Sequence, residues 1–194
     1  MIQCRKMLVL FSALFLLSVL GIGAVETGSE KEEFRANVIT PSVNNPNAIS
    51  SVATIRVDRW TTDAELADLV TAYNANRQEG FLQVLQKTPK IGYFKMPNTI
   101  GYDLRCALQQ TLADGGRRIF LAADRAMGFN ETSDRSRSSE YPFTVIELRL
   151  GKDNKGEGTI SVAAKIIVST DGKYFDLEDY GAFPVLLKFV RKTK

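Results

Sequence analysis

The stretch TISVAAKIIVSTDGKYFDL (residues 159–177) decides the fold of this chain. Apolar and polar residues alternate along much of it, as they do in a strand with one buried face. Asp171-Gly172 is a dipeptide that strongly favours a two-residue turn between paired strands, and this turn places Val168 opposite Phe175. The stretch therefore predicts an antiparallel β-hairpin.

The preceding strand, residues 143–150, extends the same pattern. Placing Leu150 opposite Ile160 aligns the apolar sides of the two strands. The central strand, residues 159–168, is thus paired with residues 143–150 on one side and with residues 173–178 on the other. Both pairings turn the same side of this strand toward the core, and that side consists of Ile160, Val162, Ala164, Ile166 and Val168. Because a slip by one residue turns every side chain to the other face, this agreement favours a continuous antiparallel meander.

Further strands are predicted wherever short alternating runs are bounded by turn residues. They cover residues 52–58, 91–96, 101–112, 117–125, 159–168, 173–178 and 185–190. The apolar face shared across the turn at residues 114–116 is expected to hold Leu104, Cys106, Leu108, Leu112, Ile119, Leu121 and Ala123. The pattern predicts an α+β fold with an antiparallel β-meander of about seven to eight strands, as an open sheet or a small barrel.

Helices are predicted between the first two strands. Thr62 and Glu65 have the spacing of a capping box, and apolar residues follow at helical intervals as far as Tyr73. A second helix is expected over residues 78–87, where Thr88-Pro89 ends it. The two helices are expected to form a hairpin that packs on the sheet.

The N-terminal segment has the order of a secretory signal: Arg5 and Lys6, an apolar run over residues 7–20, then small residues up to Ala24. The apolar run is shorter than the roughly 20 residues that span a bilayer as a helix, which favours cleavage over a retained anchor. The predicted organisation is a signal peptide at 1–24, a flexible polar leader at 25–50 and a single β-rich domain at 51–194. The mature chain is then secreted or periplasmic, with no membrane span after cleavage.

Composition excludes several kinds of chemistry. The chain has no histidine, which rules out Ser-His-Asp and Cys-His catalysis and histidine-containing zinc sites. Removing residues 1–24 lowers the formal net charge from +3 to +1, so no general attraction to nucleic acid is expected. Cys106 is then the remaining cysteine, expected to be buried rather than nucleophilic. The sequence indicates no cofactor and no metal site.

Four short segments, NTIGYDL (98–104), GGRRI (115–119), YPFT (141–144) and GEG (156–158), resemble a group of short bacterial secreted proteins described only as hypothetical. The resemblance covers about residues 52–192. It implies a bacterial exported protein and carries no assigned activity. No functional residue is transferred by it.

The connection over residues 126–142 is the candidate site, because loops of this length in compact domains are usually functional or disordered. Arg135 and Arg137 are expected to hold an anionic group, and Phe129 and Tyr141 to cover it. The same serine-rich composition also fits a solvated connecting loop.

Three functions remain open. The first is an exported non-enzymatic binding or interaction module, whose partner is an unknown small molecule or envelope component and whose recognition element is the 126–142 loop. The second is a carboxylate-dependent hydrolase acting on envelope polysaccharide, which requires two acids in a cleft. Asp176, Glu178 and Asp179 cluster near a strand end, although an ordinary charged surface explains them. The third is a structural envelope protein.

Overall fold

The computed structural model describes residues 31–40, 49–127, 143–162, 165–178 and 184–194. Within these residues the chain forms ten strands and one helix. In chain order they are β1 (Glu32–Ile39), β2 (Ile49–Val57), α1 (Asp63–Lys87), β3 (Gly92–Lys95), β4 (Tyr102–Thr111), β5 (Arg117–Ala123), β6 (Thr144–Leu150), β7 (Lys155–Val162), β8 (Lys165–Val168), β9 (Phe175–Glu178) and β10 (Val185–Lys192).

Eight of these strands form a closed antiparallel barrel in the order β1-β10-β7-β6-β5-β4-β3-β2. Consecutive strands lie side by side, and β1 closes the barrel by pairing with both β2 and β10. β8 and β9 form a separate two-stranded ribbon between β7 and β10 in the chain. The predicted antiparallel β-rich fold is thus confirmed, and the sheet is closed rather than open.

The barrel interior is a packed apolar core. Inward-facing residues recur at every second position, as Phe34, Ala36 and Val38 do on β1. Phe34, Phe94 and Leu104 are all fully buried. An eight-stranded barrel has an interior just wide enough for side chains to fill, and here they fill it.

β1 corrects the prediction of a flexible leader over residues 25–50. Residues 32–39 of that segment form a full strand of the barrel, and Phe34 and Val38 are completely buried. The segment is polar on average, whereas a strand needs only alternate apolar residues. Residues 1–24, which the sequence predicts to be a signal peptide, and the Pro- and Asn-rich residues 41–48 lie outside the described part.

A second core covers the outside of β4, β5 and β6. There α1 and the ribbon bury four phenylalanines against the barrel, and the Phe81 and Phe175 rings meet edge to face with centroids 5.1 Å apart. Phe120 and Phe143 complete the group. The barrel wall is therefore apolar on both surfaces here, which is why an alternation test with one buried side is incomplete for these strands.

A β-bulge in β4 corrects the predicted face around residues 114–116. The register shifts between Leu104 and Cys106, so Leu104 points into the barrel while Cys106 and Leu108 pack in the outer core. An extra residue in one strand reverses which face later residues occupy. Cys106 is fully buried, as predicted, and burial raises the pKa of its thiol to about 12.

The hairpin at Asp171-Gly172 is confirmed: Val168 pairs with Phe175, and Ile166 with Leu177. The predicted strand over residues 159–168 is instead divided between β7 and β8. Its register against β6 also differs, because Leu150 lies opposite Gly156 rather than Ile160. The displacement is four residues, an even number, so Ile160 still faces the barrel interior, whereas Ile166 of the ribbon packs in the outer core.

The helical segment is a single element with a sharp kink, so the predicted hairpin of two separate helices is not confirmed. Thr62 and Glu65 form the predicted capping box, and Thr88 is the C-cap. The helix is broken only at Asn76 and Arg77, where the backbone leaves helical geometry. The bend is sharp enough that a Cβ on Gly80 would lie 2.1 Å from the Ala72 carbonyl oxygen.

Candidate functional site

The predicted site residues Phe129, Arg135, Arg137 and Tyr141 all lie within residues 128–142, outside the described part of the chain. The structure does place the two flanks of this segment. Met127 is buried in the barrel core, and Phe143 is fully buried in the outer core. The candidate loop therefore leaves from and returns to fixed positions between β5 and β6.

Two polar contacts hold the flanks. The backbone N–H of Met127 donates to the hydroxyl of Thr144 over 2.9 Å in a buried position. Asp124 forms an ion pair with Arg105, whose Nε lies 2.6 Å from the carboxylate. These contacts join the loop to the start of β6 and to the neighbouring strand β4.

Beside the loop flanks lies a small group that we call the rim site, consisting of the exposed Ile100 and Arg125 and the half-buried Tyr102. The Arg125 guanidinium lies over the Tyr102 ring, 4.9 Å from its centroid. Its Nη2 donates to the Gly101 carbonyl over 3.1 Å. A cation stacked on an aromatic face is a preorganised arrangement for an anionic or planar group.

The turn between β3 and β4 projects the third member of the rim site. Asn98 has φ 60° and Gly101 has φ 86°, so the chain reverses tightly. The Thr99 hydroxyl fixes the turn by donating to the Met96 carbonyl over 2.9 Å. Ile100 is consequently fully exposed, and it offers an apolar contact next to the stacked arginine.

At the opposite end of the barrel, inward-facing polar residues form what we call the polar plug. Its members are Glu32, Gln109, Arg117, Asn154 and Lys192. Arg117 makes a two-pronged ion pair with Glu32, at 2.9 Å and 2.8 Å. The same guanidinium lies over the Phe34 ring of the barrel core, 5.6 Å from its centroid. The plug covers this end of the apolar interior.

A cleft of about 470 Å³ lies between the kink of α1 and the ribbon. It is lined by Tyr73, Arg77, Gln78, Lys165, Ile167 and Glu178. The Gln78 amide closes its floor, donating to the Ile166 carbonyl over 2.6 Å and accepting from the Ile166 N–H over 3.0 Å. These bonds fasten α1 to β8. Lys165 and Glu178 pair with each other in the cleft. We therefore interpret the cleft as part of the packing between α1 and the ribbon.

The carboxylates of the hydrolase hypothesis are engaged elsewhere. Asp176 and Glu147 both bind Arg118, at 2.6 Å and 2.7 Å. Burial opposes the charge on Arg118, but the two carboxylates outweigh it and raise the pKa of the guanidinium. Glu178 pairs with Lys165, and Asp179 lies outside the described residues. Asp176 and Glu147 thus share one arginine as their ion-pair partner.

Three other carboxyl groups have a pKa below the ordinary value. Hydrogen bonds from Arg59 lower the pKa of Glu65 to about 2. The pKa values of Asp153 and Asp171 are also lowered, by hydrogen bonds from the Lys155 backbone and the Ser169 hydroxyl respectively. Each of these groups is stabilised as a carboxylate.

Sequence reasoning missed the rim site and the polar plug. The rim site had a weak signal, since Arg125 directly precedes the long loop and Tyr102 begins the strand after NTIG (98–101). The polar plug had none, because Glu32 and Arg117 are 85 positions apart and meet only when the barrel closes.

Comparisons with models of protein families, with curated proteins and with solved structures give no match to this chain. Among the residues that the structure describes, no group of three or more acidic or cysteine side chains is arranged to hold a metal ion. No helix in the described ranges is both long and apolar enough to cross a membrane.

Proposed function

We propose that the chain is an exported, non-enzymatic binding module that captures an anionic ligand at the rim site, with the 126–142 loop as its recognition element. The observation that carries the proposal is the asymmetry of the barrel. One end is covered by the polar plug and the interior is packed, whereas the other end presents Arg125 stacked on Tyr102 beside the fixed flanks of the loop.

A packed interior directs binding to the surface. Lipocalin-sized barrels that hold a ligand inside need space there, and this barrel fills its interior with Phe34, Phe94 and other buried side chains. Ligand contacts must then come from loops on a rigid scaffold, the arrangement commonly used for recognition. Arg135 and Arg137 would add cations to the one supplied by Arg125, and Phe129 and Tyr141 would cover the ligand.

The hydrolase alternative receives no support from the described acids that suggested it, because Asp176 is ion-paired with Arg118 and Glu178 with Lys165. A structural envelope role remains a prediction. Export itself depends on the sequence of residues 1–24, and its test is the N-terminal mass of the protein produced by its own cells.

Native mass spectrometry of protein purified from its producing cells tests the binding proposal, because it detects a co-purified small molecule directly. The expected result is an adduct on the wild type that is lost in Arg135→Ala/Arg137→Ala and in Arg125→Ala. The matched control is Lys87→Ala/Lys173→Ala, which removes two exposed cations from α1 and the ribbon. Wild-type protein without an adduct, or an adduct that all variants retain, would contradict the proposal.

A further inference from the structure

A row of exposed cations crosses the outer face of the barrel that α1 and the ribbon leave uncovered. Adjacent strands pair Lys95 with Thr54, Thr54 with Arg35, Arg35 with Arg191, and Arg191 with Lys155. Strands are about 4.8 Å apart, so the row spans about 19 Å. We call this surface, together with Phe189, the basic face.

The cations of the basic face are not paired with carboxylates elsewhere in the described structure, apart from one weak contact of Lys155. Arg35, Lys95 and Arg191 form no ion pair with the rest of the described residues, and Lys155 makes only an exposed contact with Asp153 at 3.4 Å. Of the carboxylates on this face, Glu157 pairs with Lys188, and Glu33 accepts a hydrogen bond from the Thr193 hydroxyl, which leaves its charge in place. Like charges directly opposite each other destabilise a sheet, so Arg35 facing Arg191 has a cost in stability.

Phe189 adds a second unfavourable feature to the same face. It lies in a β-bulge of β10, with φ 55°, and 75% of its surface is exposed. A bulky residue at positive φ is an outlier, because its Cβ crowds the backbone. An exposed phenylalanine also forgoes the free energy of burial. Val52, 47% exposed on β2, extends the apolar part of this surface.

We propose that the basic face attaches the protein to an anionic lipid bilayer. The cations match anionic headgroups, each contributing about 1 kcal/mol near such a surface. The exposed Phe189 ring and Val52 match the boundary between headgroups and acyl chains, where apolar side chains insert. A hydrated polyanion would use the cations but would leave the exposed apolar groups unexplained. This proposal does not depend on the rim site.

Vesicle binding tests the proposal, with protein of identical N-terminus for every variant. Wild-type protein is expected to bind phosphatidylglycerol-containing vesicles, to bind less as salt is raised, and not to bind pure phosphatidylcholine. Arg35→Gln/Arg191→Gln is expected to weaken binding about thirtyfold, from two lost headgroup contacts. Phe189→Asn is expected to weaken it about tenfold, from the lost apolar insertion.

Neither variant should lose stability. Asn tolerates positive φ better than Phe, and the glutamines remove a like-charge pair, so Tm is expected to be unchanged or higher. The matched control, Lys87→Gln/Lys173→Gln, removes the same charge from the covered side of the barrel. The proposal is wrong if wild type does not bind anionic vesicles, or if the control weakens binding as much as Arg35→Gln/Arg191→Gln. It is also wrong if Phe189→Asn binds like wild type while soluble polyglutamate displaces the protein, since the face would then recognise hydrated polyanions.

Discussion

The two ends of the barrel use arginine in opposite ways. In the polar plug, Arg117 is largely buried, paired with Glu32 and hydrogen-bonded to Asn154. At the rim, Arg125 is exposed, and its described contacts are a tyrosine ring and a carbonyl oxygen. Both are strand-end arginines, yet the first has satisfied its charge internally and the second has not. The difference separates an arginine that supports the fold from one that is available to a ligand.

The largest expected effect is at the polar plug. Arg117→Ala leaves Glu32 buried with Lys192 as its remaining cation, and breaking a buried pair typically costs 3–5 kcal/mol. We expect the free energy of unfolding to fall by about 3 kcal/mol in urea denaturation. The cost should come from the weakened pairing of the buried Glu32 charge rather than from the lost side-chain volume.

A paired replacement sharpens this prediction. Glu32→Leu/Arg117→Met removes both charges and keeps apolar volume, which is often neutral for buried pairs. We expect it to recover most of the stability lost in Arg117→Ala. If the double variant is as unstable as the single one, the plug acts through packing and hydrogen bonds instead of charge.

An intermediate effect is expected at Glu65, where β2 passes into α1 at the plug end. Its pKa is about 2 in the folded protein, against an ordinary value of 4.5, so the unfolded chain binds more protons in this range. Its contribution to stability is therefore complete above about pH 4.5 and is lost as the pH falls toward 2. Glu65→Ala is expected to lower stability by about 1–2 kcal/mol at pH 7 and to flatten the decline in stability between pH 4.5 and 2. If thermal melts of Glu65→Ala show the same decline in stability between pH 4.5 and 2 as the wild type, Glu65 is not the source of that decline.

The smallest effect on stability is expected at the rim. Arg125→Ala removes an exposed stacking contact, and substitutions of this kind usually change stability by less than about 0.5 kcal/mol. Binding at the rim site should nevertheless be lost in the adduct measurement described above. A stability loss as large as that of Arg117→Ala would mean that the two ends do not differ in the way proposed.

The local pairings were predictable from sequence because short-range turn chemistry determines them. Asp171-Gly172 specifies the ribbon, and the alternation of apolar residues identifies most of the other strands. The capping box at Thr62 was likewise visible as a local pattern. Features that depend on a few adjacent residues are thus recoverable from one sequence.

Features that depend on distant partners were not predictable. β1 looks like a polar leader until β2 and β10 supply strands on both of its sides. No turn residue marks the bulge after Leu104 in the sequence. Cys106 and Leu108 are buried on the outside of the barrel because α1 supplies a second apolar layer there. For the candidate site, the sequence predicts a recognition loop whose residues 128–142 lie outside the described part, whereas the Arg125 stack required the turn at Asn98 to place Tyr102 beside it.

Closure of the barrel by β1 and β10 joins residues from opposite parts of the chain: Lys192 donates to Glu32 across 160 positions. Contacts this remote in sequence carry a high loop-closure entropy, so we expect them to form late in folding. Until they form, β1 and β10 both present unpaired edges. If the chain crosses a membrane unfolded, the period before β1 and β10 pair is the one in which it is most open to strand exchange with a second copy.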